Sequence, residues 1–546
     1  MNFSNRIIKS PTLRFGINLL TLVALTYISL NLAVAGSNPE QVNATIVADL
    51  QQTVGEDLFS LVDGDVYEGY DENTTPYFNV IWSPDGDQML IQTSVFLHII
   101  GGGDFGSARV HALYIADADG SDLKCVVWGE SKSSEGLVIR SPLWSPSGNY
   151  FAYVEESTGG MYRVTSSQLV IMSNELQPVH RIDQDLDVSG SISEMPVNYK
   201  WSPVEDKIIT FIPGNLVVFN LEDNTNFSLD IGDNYFKIKD VTLSGDGSKL
   251  VFSMLEDDYT KIHKEMFLVD IENRDIDQIY SVEGADFYYV KWSPDSKKLA
   301  FTLNNITEGD GTIVYVLSFS DMIGEKPAIM PLLDYGSIEA WYPDSERLLV
   351  SNVSSKMHEL LTVSINGEID KLFRVDSDFD TIISENGCVL VVRRTLDRDV
   401  PSRMYNLTLL SGQDQMEIDN VYYYSLEGND LIFVSDSKIS YLNTATNEAW
   451  SIPTPIAYPE TISLHPSGRF IAIDSYIMEL QGFEKQAVTS VGNDTASSIL
   501  FFKTVIFLER YQNSDISLQH SCYSHNYKDS KSNSHFFNGS LFFPFI

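Results

Sequence analysis

The chain has 546 residues, with 36 Lys and Arg against 75 Asp and Glu, a formal net charge of −39, and it is 43% hydrophobic and 12% aromatic. That apolar content suffices for a large core and argues against disorder, and the charge excess repels phosphate backbones and argues against nucleic acid as a partner. Three cysteines, Cys125, Cys388 and Cys522, allow one pair at most, too few for a disulfide scaffold.

Residues 1–14 carry Arg6, Lys9 and Arg14 and no acid, and Phe15 to Val34 are uncharged. This is an export segment, either a signal peptide or an uncleaved anchor, because about 20 apolar residues are enough to span a bilayer. Ala33-Val34-Ala35 before Gly36 has the small-x-small form of a cleavage site. In both cases the basic flank stays inside and the rest is exported, to the periplasm, cell envelope or extracellular space. Any membrane contact is through this segment alone. Asn43, Asn73, Asn226, Asn305, Asn352, Asn406, Asn493 and Asn538 each open an Asn-x-Ser/Thr triplet, which matters only in a glycosylating host. Residues 37–75 are read as a linker with a possible closing strand.

From residue 76 one phrase recurs: Trp82-Ser83-Pro84-Asp85-Gly86, Trp144-Ser145-Pro146-Ser147-Gly148, Trp201-Ser202-Pro203, Leu243-Ser244-Gly245-Asp246-Gly247, Trp292-Ser293-Pro294-Asp295-Ser296, Trp341-Tyr342-Pro343-Asp344-Ser345 and Leu464-His465-Pro466-Ser467-Gly468. Weaker copies stand at Ile383-Ser384-Glu385-Asn386-Gly387 and Leu426-Glu427-Gly428-Asn429. The mean spacing of about 48 residues falls in the range of propellers and solenoids. Each phrase turns the chain between a strand ending at the anchor and a second apolar strand such as Leu299-Ala300-Phe301. A third strand, a polar turn such as Asp117-Ala118-Asp119-Gly120 and a fourth strand complete the unit. Repeated four-stranded antiparallel units predict an all-β fold, a single β-propeller over 76–495 of eight blades, with seven to nine allowed.

The Trp-Ser-Pro-Asp-Gly phrase, and Leu-Tyr-Ile-Ala-Asp-Ala-Asp-Gly-Ser-Asp at 113–122, resemble the TolB-like (PD40, WD40-like) propeller repeat. The Gly-His and Trp-Asp signatures of WD40 repeats proper are absent. The resemblance implies a fold and leaves function open, since such propellers serve as periplasmic scaffolds, as substrate-gating domains of prolyl-oligopeptidase-type peptidases and as a few lyases.

Strand alternation puts the first and third turns at one end of each unit, and the second turn and the unit-to-unit link at the other. The second turns are the longer and more irregular ones, at 98–109, 155–165, 256–264, 304–311 and 393–404, and irregular loops on a rigid scaffold commonly carry binding. Candidate binding residues on that end are His98, Asp104, Arg109, Glu155, Arg163, Asp257, Asp310 and Arg394. The anchors Trp82, Trp144, Trp201, Leu243, Trp292, Trp341 and Leu464 are read as packing between blades rather than as a sugar-binding surface.

Asp117 to Asp122 lacks the ligand spacing and terminal Glu of a calcium loop and reads as a hairpin turn. No Gly-x-Ser-x-Gly elbow and no His-x-His or His-Glu-x-x-His pair occurs, so no catalytic residue, metal ligand or cofactor is assigned. His465 stands where other turns have Ser and reads as a turn residue. Residues 496–546 carry no repeat phrase and are read as a poorly ordered or non-homologous tail.

The expected function is an exported, non-catalytic binding or scaffold module for a protein, peptide or glycan, neutral or cationic. The alternative is a propeller-based lyase or hydrolase, or the gating propeller of a peptidase without its catalytic domain.

Overall fold

The computed structural model describes residues 42–483 apart from internal stretches, the longest being 185–198, and all described residues belong to one compact unit, Met1–Leu500. The segment expected to direct export and the expected tail at 496–546 lie outside the described residues. Among those described, no helix is long and apolar enough to cross a membrane.

The fold is all-β. Strands follow the repeat, four antiparallel strands in sequence order per unit. The Trp292 unit, for example, is Ala285–Trp292, Lys298–Asn305, Gly311–Ser318 and Ala328–Leu333, each paired with the next. The Trp201, Leu243 and Trp341 units are likewise separate four-stranded sheets. The Trp82 and Trp144 units form one larger sheet, because Ser131–Lys132 at the end of the first pair with Glu135–Gly136 at the start of the second. Strand Tyr67–Tyr70 adds to that sheet beside the end of Gln88–Ile99.

The Ile383 and Leu426 units share a strand. Asp414–Glu427 pairs through Asp414–Ile418 and Val421 with Tyr405–Ser411, and through Val421–Glu427 with Asp430–Ser435. In the Leu464 unit the fourth strand comes from the other end of the chain: Asn43–Asp49 pairs antiparallel with Tyr476–Gln481.

The second strand of each unit is apolar on both faces because it faces two neighbours. Successive side chains point to opposite faces, so Leu299 and Phe301 join the core shared with the Leu243 unit, and Ala300 joins the core shared with the Trp341 unit. First strands of neighbouring units lie against one another at four seams, Leu243 with Trp292, Trp292 with Trp341, Trp341 with Ile383, and Leu464 with Trp82; among the described residues no two fourth strands make comparable contact. First strands therefore surround the axis.

The anchor tryptophans span the seams. Trp82 Nε1 donates to Ser463 O at 3.2 Å, Trp144 to Ile81 O at 3.0 Å, Trp292 to Thr242 O at 3.4 Å and Trp341 to Lys291 O at 3.0 Å. In each case the acceptor is the residue before the preceding anchor. Trp201 differs, its buried Nε1 having no partner among the described residues.

At the Leu464–Trp82 seam, His465 Nε2 lies 2.6 Å from Gly86 O, and Nδ1 accepts from Ser467 N at 3.1 Å. These contacts assign the neutral tautomer with the proton on Nε2. The ring also meets Trp82 and Phe470 edge-on, at 5.0 and 5.6 Å. Gly86 sits at φ +80°, and a Cβ there would stand 2.5 Å from His465 Cε1. Gly86→Ala is therefore expected to cost about 2–3 kcal/mol by denaturant titration. Gly148→Ala, at φ +76° with its nearest contact at 3.4 Å, should cost about 1 kcal/mol from backbone strain.

One helix, Leu50–Leu61, was not anticipated from the repeat. Asp49 caps it, accepting the Gln51 N–H at 3.1 Å, and Leu50, Val54 and Leu58, spaced four apart, are fully buried against the core of the Leu464–Trp82 seam.

Candidate functional site

The two ends of the ring are built differently. At the Ser-Pro-Asp-Gly end, turns of successive units bond to each other. Ser147 Oγ donates to Asp206 Oδ2 at 2.6 Å, Asp246 N to Ser296 Oγ at 3.1 Å, Asp295 N to Ser345 Oγ at 3.0 Å and Asn386 N to Asn429 Oδ1 at 2.9 Å. At these seams the turn groups hold neighbouring units together, while third-turn residues such as Asp119, Asp122 and Asp223 stay exposed.

The opposite end carries the second turns and the links. Of the residues expected to bind there, Arg109 is exposed; its Nε donates to Ser94 Oγ at 2.5 Å and its guanidinium lies 5.4 Å from the Phe96 ring. Glu155 is engaged within its own sheet, accepting from Arg181 at 3.2 Å and from the Tyr153 hydroxyl at 3.3 Å. Arg394 is exposed at the end of Val389–Arg394, opposite Tyr405. His98, Arg163 and Asp257 occupy strand ends opposite Ser107, Gly159 and Ile262, flanking the second turns. Asp104 and Asp310 lie outside the described residues. These residues belong to several units, and no contact between Arg109, Glu155 and Arg394 is seen.

Two other loci on this end were not singled out from the sequence. In the Trp82–Trp144 seam, Arg140 Nε lies 2.5 Å from Glu156 Oε2. Burial, with Arg109 and Arg140 nearby, holds the His111 imidazole down at about 4, so it is neutral at physiological pH.

The second locus joins the Leu243 and Trp292 units around Lys264, whose side chain is 3% exposed. Its Nζ lies 2.8 Å from Asp240 Oδ2 and 2.8 Å from Asp286 Oδ1, donates to Phe287 O at 2.6 Å, and stands 4.5 Å from the Phe287 ring centroid. Asp240 and Asp286 are both on first strands, Ile238–Leu243 and Ala285–Trp292, so the ion cluster ties together two neighbours of the axis. Asp240 and Tyr289 stand at bulges in these strands with φ of +49° and +57°.

The bulge in Ala285–Trp292 is flanked by exposed rings. Tyr288 is 40% and Tyr289 53% exposed, their centroids 6.4 Å apart. Burial, followed by the Asp286 carboxylate, raises the Tyr288 phenol pKa, which keeps it protonated. The other exposed aromatics among the described residues are Tyr335 and Tyr458. Both sit on links, at the same end of the ring. Every strongly exposed aromatic of the described chain thus lies on a first strand or on a link leading into one. The signal available in sequence was the run Phe287-Tyr288-Tyr289 just upstream of an anchor.

No family model matches the chain, and no curated protein does. Solved structures similar to it include a eukaryotic initiation factor (12% identity, 76% of this chain and 91% of that one, TM-score 0.41). Others are an oligogalacturonate lyase from Vibrio parahaemolyticus (10%, 74% and 97%, TM-score 0.38) and the β-propeller domain of the Trilobed protease from Pyrococcus furiosus (14%, 64% and 97%, TM-score 0.34). These likenesses are remote, and no activity is carried over from them.

Proposed function

We propose that the protein is an exported, non-catalytic propeller of the TolB-like kind, binding a protein, peptide or glycan at the end of the ring that carries its second turns and links. The ring is read as nine blades, the upper end of the expected range and one more than the eight preferred from spacing. Nine buried clusters each join one pair of successive units, including one inside the shared-strand sheet between the Ile383 and Leu426 units.

The observation that carries the binding reading is the placement of the exposed tyrosines. Tyrosine offers large contact area with little conformational freedom to lose, which makes it a favoured recognition residue. Here the exposed tyrosines are concentrated at one end, while at the other end turns of successive units bond to each other at several seams. Screening the full-length protein against a random-peptide display library and a glycan array tests this. Enrichment of a ligand set that drops at least about tenfold (1.4 kcal/mol) for the Tyr288→Ala, Tyr289→Ala double variant is the expected result. Equal enrichment by the variant, or turnover of a bound oligosaccharide or peptide, overturns it.

A further inference from the structure

We infer that the surface formed by Tyr288 and Tyr289 receives a cationic peptide segment, an arginine or lysine side chain lying against the tyrosine rings beside the carboxylates of Asp240 and Asp286. This rests on the binding reading above and narrows its partner.

The surroundings already hold one cation of this kind. The Lys264 ammonium lies between the two carboxylates, 4.5 Å from the Phe287 ring centroid and 5.3 Å from that of Tyr288. Two carboxylates against one ammonium leave a surplus negative charge. That surplus is not sealed off, since the Asp240 side chain is 26% exposed. The rings of Tyr288 and Tyr289, inclined at 54° to each other, present aromatic surface outward from the same strand. Asp240 also accepts from Ser253 Oγ at 2.8 Å, so what the cluster leaves over is net negative charge rather than a bare carboxylate. A π face and that charge both favour a cation, and a guanidinium satisfies both at once by stacking and charge.

The chain as a whole acts in the same direction. Its net charge of −39 draws cationic segments towards it and repels anionic ones. A neutral glycan would gain stacking on the tyrosines and leave the surplus negative charge unmatched, so the site has no means of preferring it.

The test is a fluorescence-anisotropy titration of full-length protein, at physiological salt, with a labelled (Arg-Gly)4 peptide and its citrulline counterpart (Cit-Gly)4, which keeps the shape of the side chain without the charge. The arginine peptide is expected to bind at least about tenfold tighter. Tyr288→Ala, Tyr289→Ala should weaken it at least about fivefold, and Tyr288→Phe, Tyr289→Phe, which keeps the rings, should restore most of the loss. Asp119→Asn, on a third turn at the other end, should leave affinity unchanged and so separate this site from general attraction to an acidic protein. Equal weakening by Asp119→Asn, or arginine binding indifferent to the tyrosines, overturns the inference. Tyrosine-dependent binding of the citrulline peptide or of a neutral glycan overturns the cationic preference and leaves the binding function standing. Failure of every probe, together with an unenriched library, removes both.

Discussion

Lys264→Met is expected to destabilise the propeller by about 3 kcal/mol, read as a lower urea midpoint with an unchanged slope. The substitution keeps most of the side chain's volume, so the loss is electrostatic. Asp240 and Asp286 would face each other across the seam without the ammonium that separates them at 2.8 Å from each. Phe287 O would lose the donor it holds at 2.6 Å. The figure is set at the low end of the range for broken buried pairs because the Asp240 side chain is 26% exposed and water can relieve part of its charge. Adding Asp240→Asn and Asp286→Asn should recover most of the stability, since the penalty belongs to uncompensated carboxylates rather than to the missing lysine. A single-variant loss below about 1 kcal/mol would mean that the cluster is effectively solvated.

That cluster also marks the limit of what could be read from the sequence. The repeat phrase was legible because its chemistry is local. Ser83 Oγ donates to Asp85 Oδ1 at 2.6 Å, Ser244 Oγ to Asp246 Oδ1 at 2.6 Å and Ser293 Oγ to Asp295 Oδ1 at 2.5 Å. A Ser-x-Asp turn therefore leaves a mark wherever it occurs, and the four-stranded unit follows from it. Lys264 and Asp286 meet across two units, and no spacing rule connects a third strand with the first strand of the next unit. The exposure of Tyr288 and Tyr289 depends on a bulge, where simple alternation fails.

Two features of the architecture are only partly legible for similar reasons. The phrase is eroded at Ile383 and Leu426, and their units share the long strand Asp414–Glu427, so two degenerate copies leave the blade count open between eight and nine. Asn43–Asp49 falls in 37–75, read as a linker with a possible closing strand, and its pairing with Tyr476–Gln481 supplies the fourth strand of the last sheet, a partner no spacing rule could name. His465, read as a turn residue, holds its turn and in addition clasps Gly86 across the closing seam.

The largest single loss is expected at an anchor. Trp144→Ala should cost about 3–5 kcal/mol, because Trp144 is 4% exposed and packs within the core shared by Leu90, Leu113 and Ile115 of one unit and Phe151 and Tyr153 of its own. The cavity would open at a seam between two rigid sheets, which limits collapse. The Trp→Phe substitutions separate packing from hydrogen bonding. Trp144→Phe removes indole volume and also takes away the donor that Ile81 O holds at 3.0 Å. Trp201→Phe removes comparable volume at an equivalent seam, yet deletes a buried N–H without a partner among the described residues. Eliminating an unsatisfied donor offsets part of the lost packing, so Trp201→Phe should be the milder change by about 1–2 kcal/mol. Chemical denaturation of the two variants side by side gives the comparison. Equal losses would show that the indole-to-carbonyl bonds repeated at Trp82, Trp144, Trp292 and Trp341 add nothing beyond the area their rings bury.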